Sequence, residues 1–155
     1  DPLFSWLGTL YPIKTYFTSL KNGKKISILK PGDMKTYRIG VVRGDFIEQQ
    51  IQQWGLSEQV YMAAEHKKLW SLLFAGKIDA VVSNGFSIRQ EFSKLGYSVE
   101  DIQLNPSPLF EDKSLYLAAN IKMNKETLVR VRKSLMEIKK DGTYDRILAR
   151  YDLSY

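Results

Sequence analysis

The sequence predicts an α/β protein with a mostly parallel sheet flanked by helices, and two observations carry that prediction. Between residues 37 and 96, short runs rich in β-branched residues alternate with stretches whose apolar residues recur at helical spacing. Within that rhythm, Ala80, Val81 and Val82 are apolar without alternation, which suits a strand covered on both faces. Strands and helices of these lengths, taken in turn, make βαβ units. Ligands of such sheets sit beyond the carboxyl ends of the strands, near helix N-termini.

The elements follow in order. Residues 3–20, LFSWLGTLYPIKTYFTSL, are dense in aromatics but have no clear period, so no element is assigned there. YRIGVVR (37–43) is the first strand, followed by Gly44; Ile47, Ile51 and Trp54 then fall on one helical stripe. QVYMA (59–63) is the second strand. Leu69, Leu72 and Leu73 mark the next helix, which Gly76 closes. IDAVVS (78–83) is the third strand, and Ile88, Phe92 and Leu95 mark a helix ended by Gly96. DIQL (101–104) and SLYLAA (114–119) read as further strands. Asn124 is placed to cap a helix with Leu128, Val131, Leu135 and Ile138 on its apolar side. KDG (140–142) stops it, and Thr143 is expected to cap a short last helix carrying Ile147, Leu148 and Tyr151. No internal repeat, low-complexity segment or flexible linker is visible.

Composition narrows the function classes. The 155 residues amount to about one domain, and 44% apolar with 26% charged residues is an ordinary globular balance. Without cysteine there is no disulfide framework and no thiolate metal site. With His66 as the sole histidine, a histidine-based metal site or a Ser-His-Asp triad lacks its parts. No apolar run approaches the roughly 20 residues that span a bilayer. No signal-peptide pattern stands at Asp1, so the expectation is that any export signal has been removed or was never present. The net charge of +6 is spread over Lys21, Lys24 and Lys25, Lys67 and Lys68, and Arg130, Arg132, Lys133, Lys139 and Lys140, as on solvated helix faces. That pattern speaks against nucleic-acid binding.

The motifs of P-loops, dinucleotide folds, zinc proteases and serine hydrolases are absent. Two loci lie at the ligand-binding edge of the predicted sheet: Arg43, Gly44, Asp45 and Phe46 after the first strand, and Ser83, Asn84 and Gly85 after the third. Asp45 and Asn84 also read as helix N-caps, a role compatible with ligand contact because helix N-termini hold polar groups. Asp79, at the start of its strand and far from that edge, reads as a structural acceptor of backbone N–H groups. Trp54 and Trp70 lie on helical stripes and read as core, whereas Trp6 and Tyr11 have no stripe and are candidates for a pocket wall. Glu111 and Asp112 read as a solvated rim.

Taken together, YRIGVVRGDF, LLFAGKIDAVVSN, SLYLAANIKMN and LMEIKKDGTYDRILARY resemble the extracellular solute-binding proteins of polar-amino-acid ABC transporters, bilobed proteins that close on a small ligand. IGVVRG is similar to the opening strand of the family's second lobe, and L-x-x-G-K-I-D-A-V-V-S-N to its L-x-x-G-x-x-D-A-v-v-x-D segment. FSWLGTLYP is similar to the stretch before the chain crosses between lobes. The resemblance implies a periplasmic-binding-protein-like lobe at 21–118, the end of the first lobe and the crossover at 1–20, and C-terminal helices returning to that lobe at 119–155. It covers this chain but not the family's whole domain, so the expectation is a chain lacking the N-terminal part of lobe 1. Residues 1–20 and 120–155 are then expected to lean on something outside this sequence.

The resemblance further implies a periplasmic or otherwise extracytoplasmic protein that binds a small polar molecule without chemistry, cofactor or metal. An ABC permease is the implied partner, with no nucleic acid and no membrane insertion. A monomer is expected, with association or swapping through exposed flanks open to a fragment. Two positions depart from the family pattern. Asp45 stands where Ser or Thr usually holds a carboxylate, and Asn84 stands where Asp usually pairs with an α-ammonium. Charge-assisted hydrogen bonds are roughly twice as strong as neutral ones, so both ends of a zwitterion lose recognition, and the expected ligand is not a standard α-amino acid. Relatives of the same fold offer alternatives: a sensor domain of a receptor, an effector domain of a transcription regulator, or a dehydratase-like enzyme using Asp45 or Glu111.

Overall fold

The aromatic N-terminal stretch forms two strands, β1 (Phe4–Ile13) and β2 (Tyr16–Leu20). The computed structural model describes residues 3–84, 88–151 and 153. Neither strand alternates, and the reason differs. In β1 only Leu7 is buried and most other residues are half-covered, whereas in β2 Phe17, Thr18 and Ser19 are buried in succession. The next elements are β3 (Ile39–Val42), α1 (Phe46–Gln53), β4 (Val60–Ala63), α2 (His66–Phe74), β5 (Ala80–Ser83) and α3 (Ile88–Leu95). After them come β6 (Ile102–Pro106), β7 (Lys113–Asn120), α4 (Lys125–Lys140) and α5 (Thr143–Arg150).

The chain divides into two units. The larger, Ile13–Asp112, holds a five-stranded sheet in the order β4-β3-β5-β2-β6. β3 runs parallel to β4, with Val42 opposite Ala63, and parallel to β5, with Ile39 opposite Ala80. β2 is the exception to the expected parallel sheet: it runs antiparallel to both its neighbours, β5 and β6. Four strands therefore share a direction and one reversed strand lies among them.

Two apolar clusters cover this sheet. Ala80 and Val82 belong to one, with Phe17, Met34, Ile39, Val41, Ile47 and Ile51. Val81 belongs to the other, with Leu69, Trp70, Leu73, Ile88 and Phe92. Successive residues of a strand point to opposite faces, so the unbroken apolar run of β5 is a strand packed on both sides. Trp70 is buried in the second cluster and Trp54, half-buried, packs on Phe110 at 5.3 Å, so both tryptophans are core.

The smaller unit, Asp1–Pro12 with Lys113–Tyr155, holds the pair of β1 with β7 and the helices α4 and α5. Asn124 caps α4 as expected, its side chain accepting from the N–H groups of Glu126 and Thr127. The expected stripe faces inward: Leu135 is buried, and Leu128, Val131 and Ile138 are half-buried. Thr143 does not cap α5. Gly142 takes the N-cap position in a left-handed turn (φ +76°), and from there the Asp141 carboxylate accepts the Thr143 N–H at 2.8 Å. The Thr143 hydroxyl instead accepts from Arg146.

Candidate functional site

The parallel strands β3, β4 and β5 end on one edge of the large sheet. Arg43 leaves β3 with its N–H donated to the Ala63 carbonyl of β4 at 2.8 Å, which holds the exit of the strand in register. Gly44 then turns the chain at φ +82°, a conformation that side chains strain to adopt. Asp45 occupies the N-cap of α1, yet its side chain makes no capping bond. Glu48, three residues on, reaches back to the turn instead. Its Oε2 accepts the Gly44 N–H at 2.5 Å and its Oε1 accepts from Gln52 Nε2 at 3.4 Å. A carboxylate of the chain itself thus engages the Gly44 donor of this turn. Arg43 and Phe46 are exposed, and Asp45 is half-buried.

Asn84 follows β5 on the same edge and is half-buried. The link from it to α3, including Gly85, lies outside the described residues, and with it the capping role read for Asn84. Beneath Asn84, Ser83 and Thr18 of β2 share a buried hydrogen bond of 2.8 Å between their hydroxyls. Tyr16 pairs with Ser83, which brings Thr15 beside the end of β5. Thr15 is buried, and among the described residues its hydroxyl has no hydrogen-bond partner. A buried hydroxyl left without a partner costs about 1–3 kcal/mol. Nothing in the sequence marks Thr15, because its burial depends on strands paired to β2 from far along the chain.

The structure therefore brings Arg43, Gly44, Asp45, Phe46 and Asn84 to one sheet edge. Trp6 and Tyr11 lie on β1, in the smaller unit. There the Trp6 ring is exposed and meets Tyr116 edge-on at 5.9 Å and Phe4 at 6.4 Å. Glu111 and Asp112 are exposed.

Asp79 is scaffold. Its side chain is only 9% exposed, and its Oδ2 accepts the Arg38 N–H at 2.8 Å while Oδ1 meets the Arg38 guanidinium at 2.6 Å. The Asp79 N–H returns a bond of 2.7 Å to the Arg38 carbonyl. These contacts tie the starts of β3 and β5 together. The bond from Arg38 holds the Asp79 carboxyl below the usual carboxylate range, against an opposing push from burial. His66 opens α2, stacked on Trp70, with its Nδ1 3.9 Å from Glu91 Oε1. Glu91 also accepts the Trp70 indole N–H at 2.6 Å, so the lone histidine belongs to a helix-to-helix tie. Among the described residues, no group of three or more acidic or histidine side chains is placed to hold a metal, and no helix is long and apolar enough to cross a membrane.

No protein-family model and no curated protein matches the sequence. Solved structures do. A mutant of ArgBP from T. maritima aligns over 97% of this chain and 62% of its own, with 17% identity and a TM-score of 0.71. AbpA, an amino acid ABC transporter substrate-binding protein from Streptococcus pneumoniae bound to L-arginine, aligns over 97% and 61%, with 17% identity and a TM-score of 0.72. A histidine kinase sensor domain described as similar to periplasmic binding proteins aligns over 97% and 63%, with 14% identity and a TM-score of 0.71. The chain has the α/β fold of the periplasmic binding proteins, the amino-acid substrate-binding proteins among them. It spans about three fifths of the length of these solved structures.

Proposed function

We propose that this chain is the ligand-binding part of an extracytoplasmic solute-binding protein that passes a small polar molecule to an ABC permease, with no chemistry of its own. The observation that carries the reading is the edge of the large sheet, where the β3–α1 turn and Asn84 stand together on a binding-protein fold. On this reading Ile13–Asp112 is the second lobe, and the smaller unit is the C-terminal remainder of the first. Arg43, Gly44, Asp45, Phe46 and Asn84 are the residues of the large unit assigned to the ligand.

The turn also argues for a ligand that is not a standard α-amino acid. Asp45 and Glu48 put two acidic groups at the position where a ligand carboxylate would come, and Glu48 already holds the Gly44 N–H. An incoming carboxylate meets like charge and a donor already engaged. Asn84, being neutral, offers an α-ammonium no charge. A cationic or neutral group facing the turn satisfies both features. Titration calorimetry of the full-length protein against the standard amino acids, L-arginine included, tests this; sub-micromolar binding of any of them refutes the ligand class. A sensor role is the second reading, favoured by the equal likeness to the kinase sensor domain. Ligand-dependent transport by reconstituted permease, set against ligand-dependent kinase activity, separates the two.

A further inference from the structure

We propose that Asn84 is a site of spontaneous modification: the Gly85 backbone nitrogen displaces its side-chain amide, and the residue that results carries a carboxylate at the ligand edge. Asparagine is among the thermolabile residues. Asn84 is followed by glycine, which has no side chain to shield the attacking nitrogen. β5 ends at Ser83, and the pair of Ser83 with Tyr16 closes the β5–β2 register at that end, so Asn84 stands past the ladder. It is half-buried, which leaves it open to water.

The other asparagines are placed differently. Asn105 precedes Pro106, which has no N–H to give up, and its amide donates to the Phe17 carbonyl at 2.8 Å and to the Ser19 hydroxyl at 3.0 Å. Asn120 Oδ1 accepts the Lys122 N–H, and Asn124 Oδ1 accepts those of Glu126 and Thr127. Both side chains are thus held on nitrogens two or three residues on, not on the next one. Asn22 also precedes a glycine, but the Gly23 N–H donates to the Leu20 carbonyl at 3.1 Å, and the nitrogen must release that bond before it can attack.

The reaction needs water and no other reactant. The Gly85 nitrogen bonds to Asn84 Cγ, its proton goes to the departing amide, ammonia leaves, and a cyclic imide joins the two residues. Water then opens the imide at either carbonyl. Breaking the new Cγ–N bond leaves aspartate at position 84; breaking the original peptide bond leaves isoaspartate, with the backbone rerouted through Cγ. Nothing is oxidised or reduced. Either product lowers the formal net charge of +6 by one. The consequence for the ligand rests on reading this edge as the ligand site: position 84, neutral before, then offers an ammonium group a charge-assisted bond. One sequence thus yields two binding specificities, the second arising with age.

Peptide mapping by mass spectrometry of the full-length protein, aged in mildly alkaline buffer, tests the chemistry. Folded Asn84 should convert within about tenfold of the rate in an unfolded peptide of residues 80–88, as expected where no opening of the sheet is required. Gly85→Ala should slow conversion at Asn84 about tenfold or more and leave Asn22 unaffected. An Asn84 that stays intact while the peptide converts overturns the proposal. Asn84→Asp makes one product directly and should bind agmatine, an amine without a carboxylate, about tenfold more tightly than the unaltered protein in calorimetry. Unchanged agmatine binding overturns the second specificity. Asp45→Asn then shows which reading failed: if it weakens agmatine binding, the ligand edge stands and position 84 alone fails, and if it changes nothing, the reading of the edge falls as well.

Discussion

The two units bury their apolar residues in opposite degree. In Ile13–Asp112, Trp70, Phe17, Phe92, Met34 and Ile39 are all but inaccessible, within two clusters on either side of a five-stranded sheet. In the smaller unit only Leu7, Ala119, Leu135 and Leu148 are buried among the described hydrophobic residues, and each keeps some exposure. Leu3, Phe4, Trp6, Leu115, Tyr116, Ile121, Met123, Val129, Met136, Ile147 and Tyr151 are exposed there. Apolar content does not distinguish the units; coverage does. A two-stranded ribbon with two helices has too few faces to enclose the residues it carries, whereas three more strands and a second layer of helices suffice.

The sharpest way to break this contrast is to truncate an aromatic in each unit. Phe92→Ala should cost about 3–5 kcal/mol, the usual range for a fully buried phenylalanine. Trp6→Ala, in the smaller unit, should cost less than about 1 kcal/mol, since half of that ring already faces water. Urea denaturation read from unit-specific amide exchange checks both, and equal costs would refute the contrast. Next in size is the tie at the base of the large sheet. Asp79→Ala should cost about 2 kcal/mol by denaturation, because it leaves the Arg38 N–H and guanidinium without their acceptor. The pH dependence has a definite sign. The folded-state pKa of Asp79 is depressed, so its contribution is complete above the unfolded-chain value of about 3.9 and is lost as the pH falls through the lower, folded value. Asp79→Asn should flatten that acid limb.

Smaller effects sharpen the picture of the ligand edge. Glu48→Gln should cost about 0.5 kcal/mol in thermal unfolding, as a charged cap at a partly exposed turn is replaced by a neutral one. On the proposed ligand class it should also ease the entry of carboxylate-bearing compounds, measured by calorimetry. Thr15→Val should change stability by no more than about 0.5 kcal/mol, or raise it, because the hydroxyl it removes has no partner among the described residues. A clear loss of stability would mean that an ordered water or an undescribed residue already satisfies that hydroxyl.

Local patterns were readable in the sequence where local forces decide. The stripes of α1 to α4, the end of α2 at Gly76 and the Asn124 cap all depend on residues within one or two helical turns. β1 and β2 were not readable, since what makes them strands lies far away: Thr18 bonds Ser83, and the Asn105 amide donates to the Phe17 carbonyl. Asp79 could be read as scaffold from its place at the start of a strand, but its partner Arg38, 41 residues earlier, could not. At the candidate site, the two loci on one edge followed from the βαβ rhythm. The reach of Glu48 back to the turn has a signal in Asp45-x-x-Glu48, which has the spacing of a capping box. Thr15 carried no such signal.

The reversed strand β2 bears on how the large unit assembles. It is the first strand of that unit to leave the ribosome, yet both its neighbours come much later, β5 some 65 residues on and β6 further still. β3, α1 and β4 close over short loops and can pair as soon as they are made. β2 must wait, apolar and unpaired, until β5 and β6 have emerged. In pulse-labelled exchange during refolding, the amides of 16–20 are expected to gain protection after those of 39–42. The strand that joins β5 to β6 in the finished sheet is then the last to be locked, and the first moments of this chain's life are those in which Phe17 is most exposed to the wrong partner.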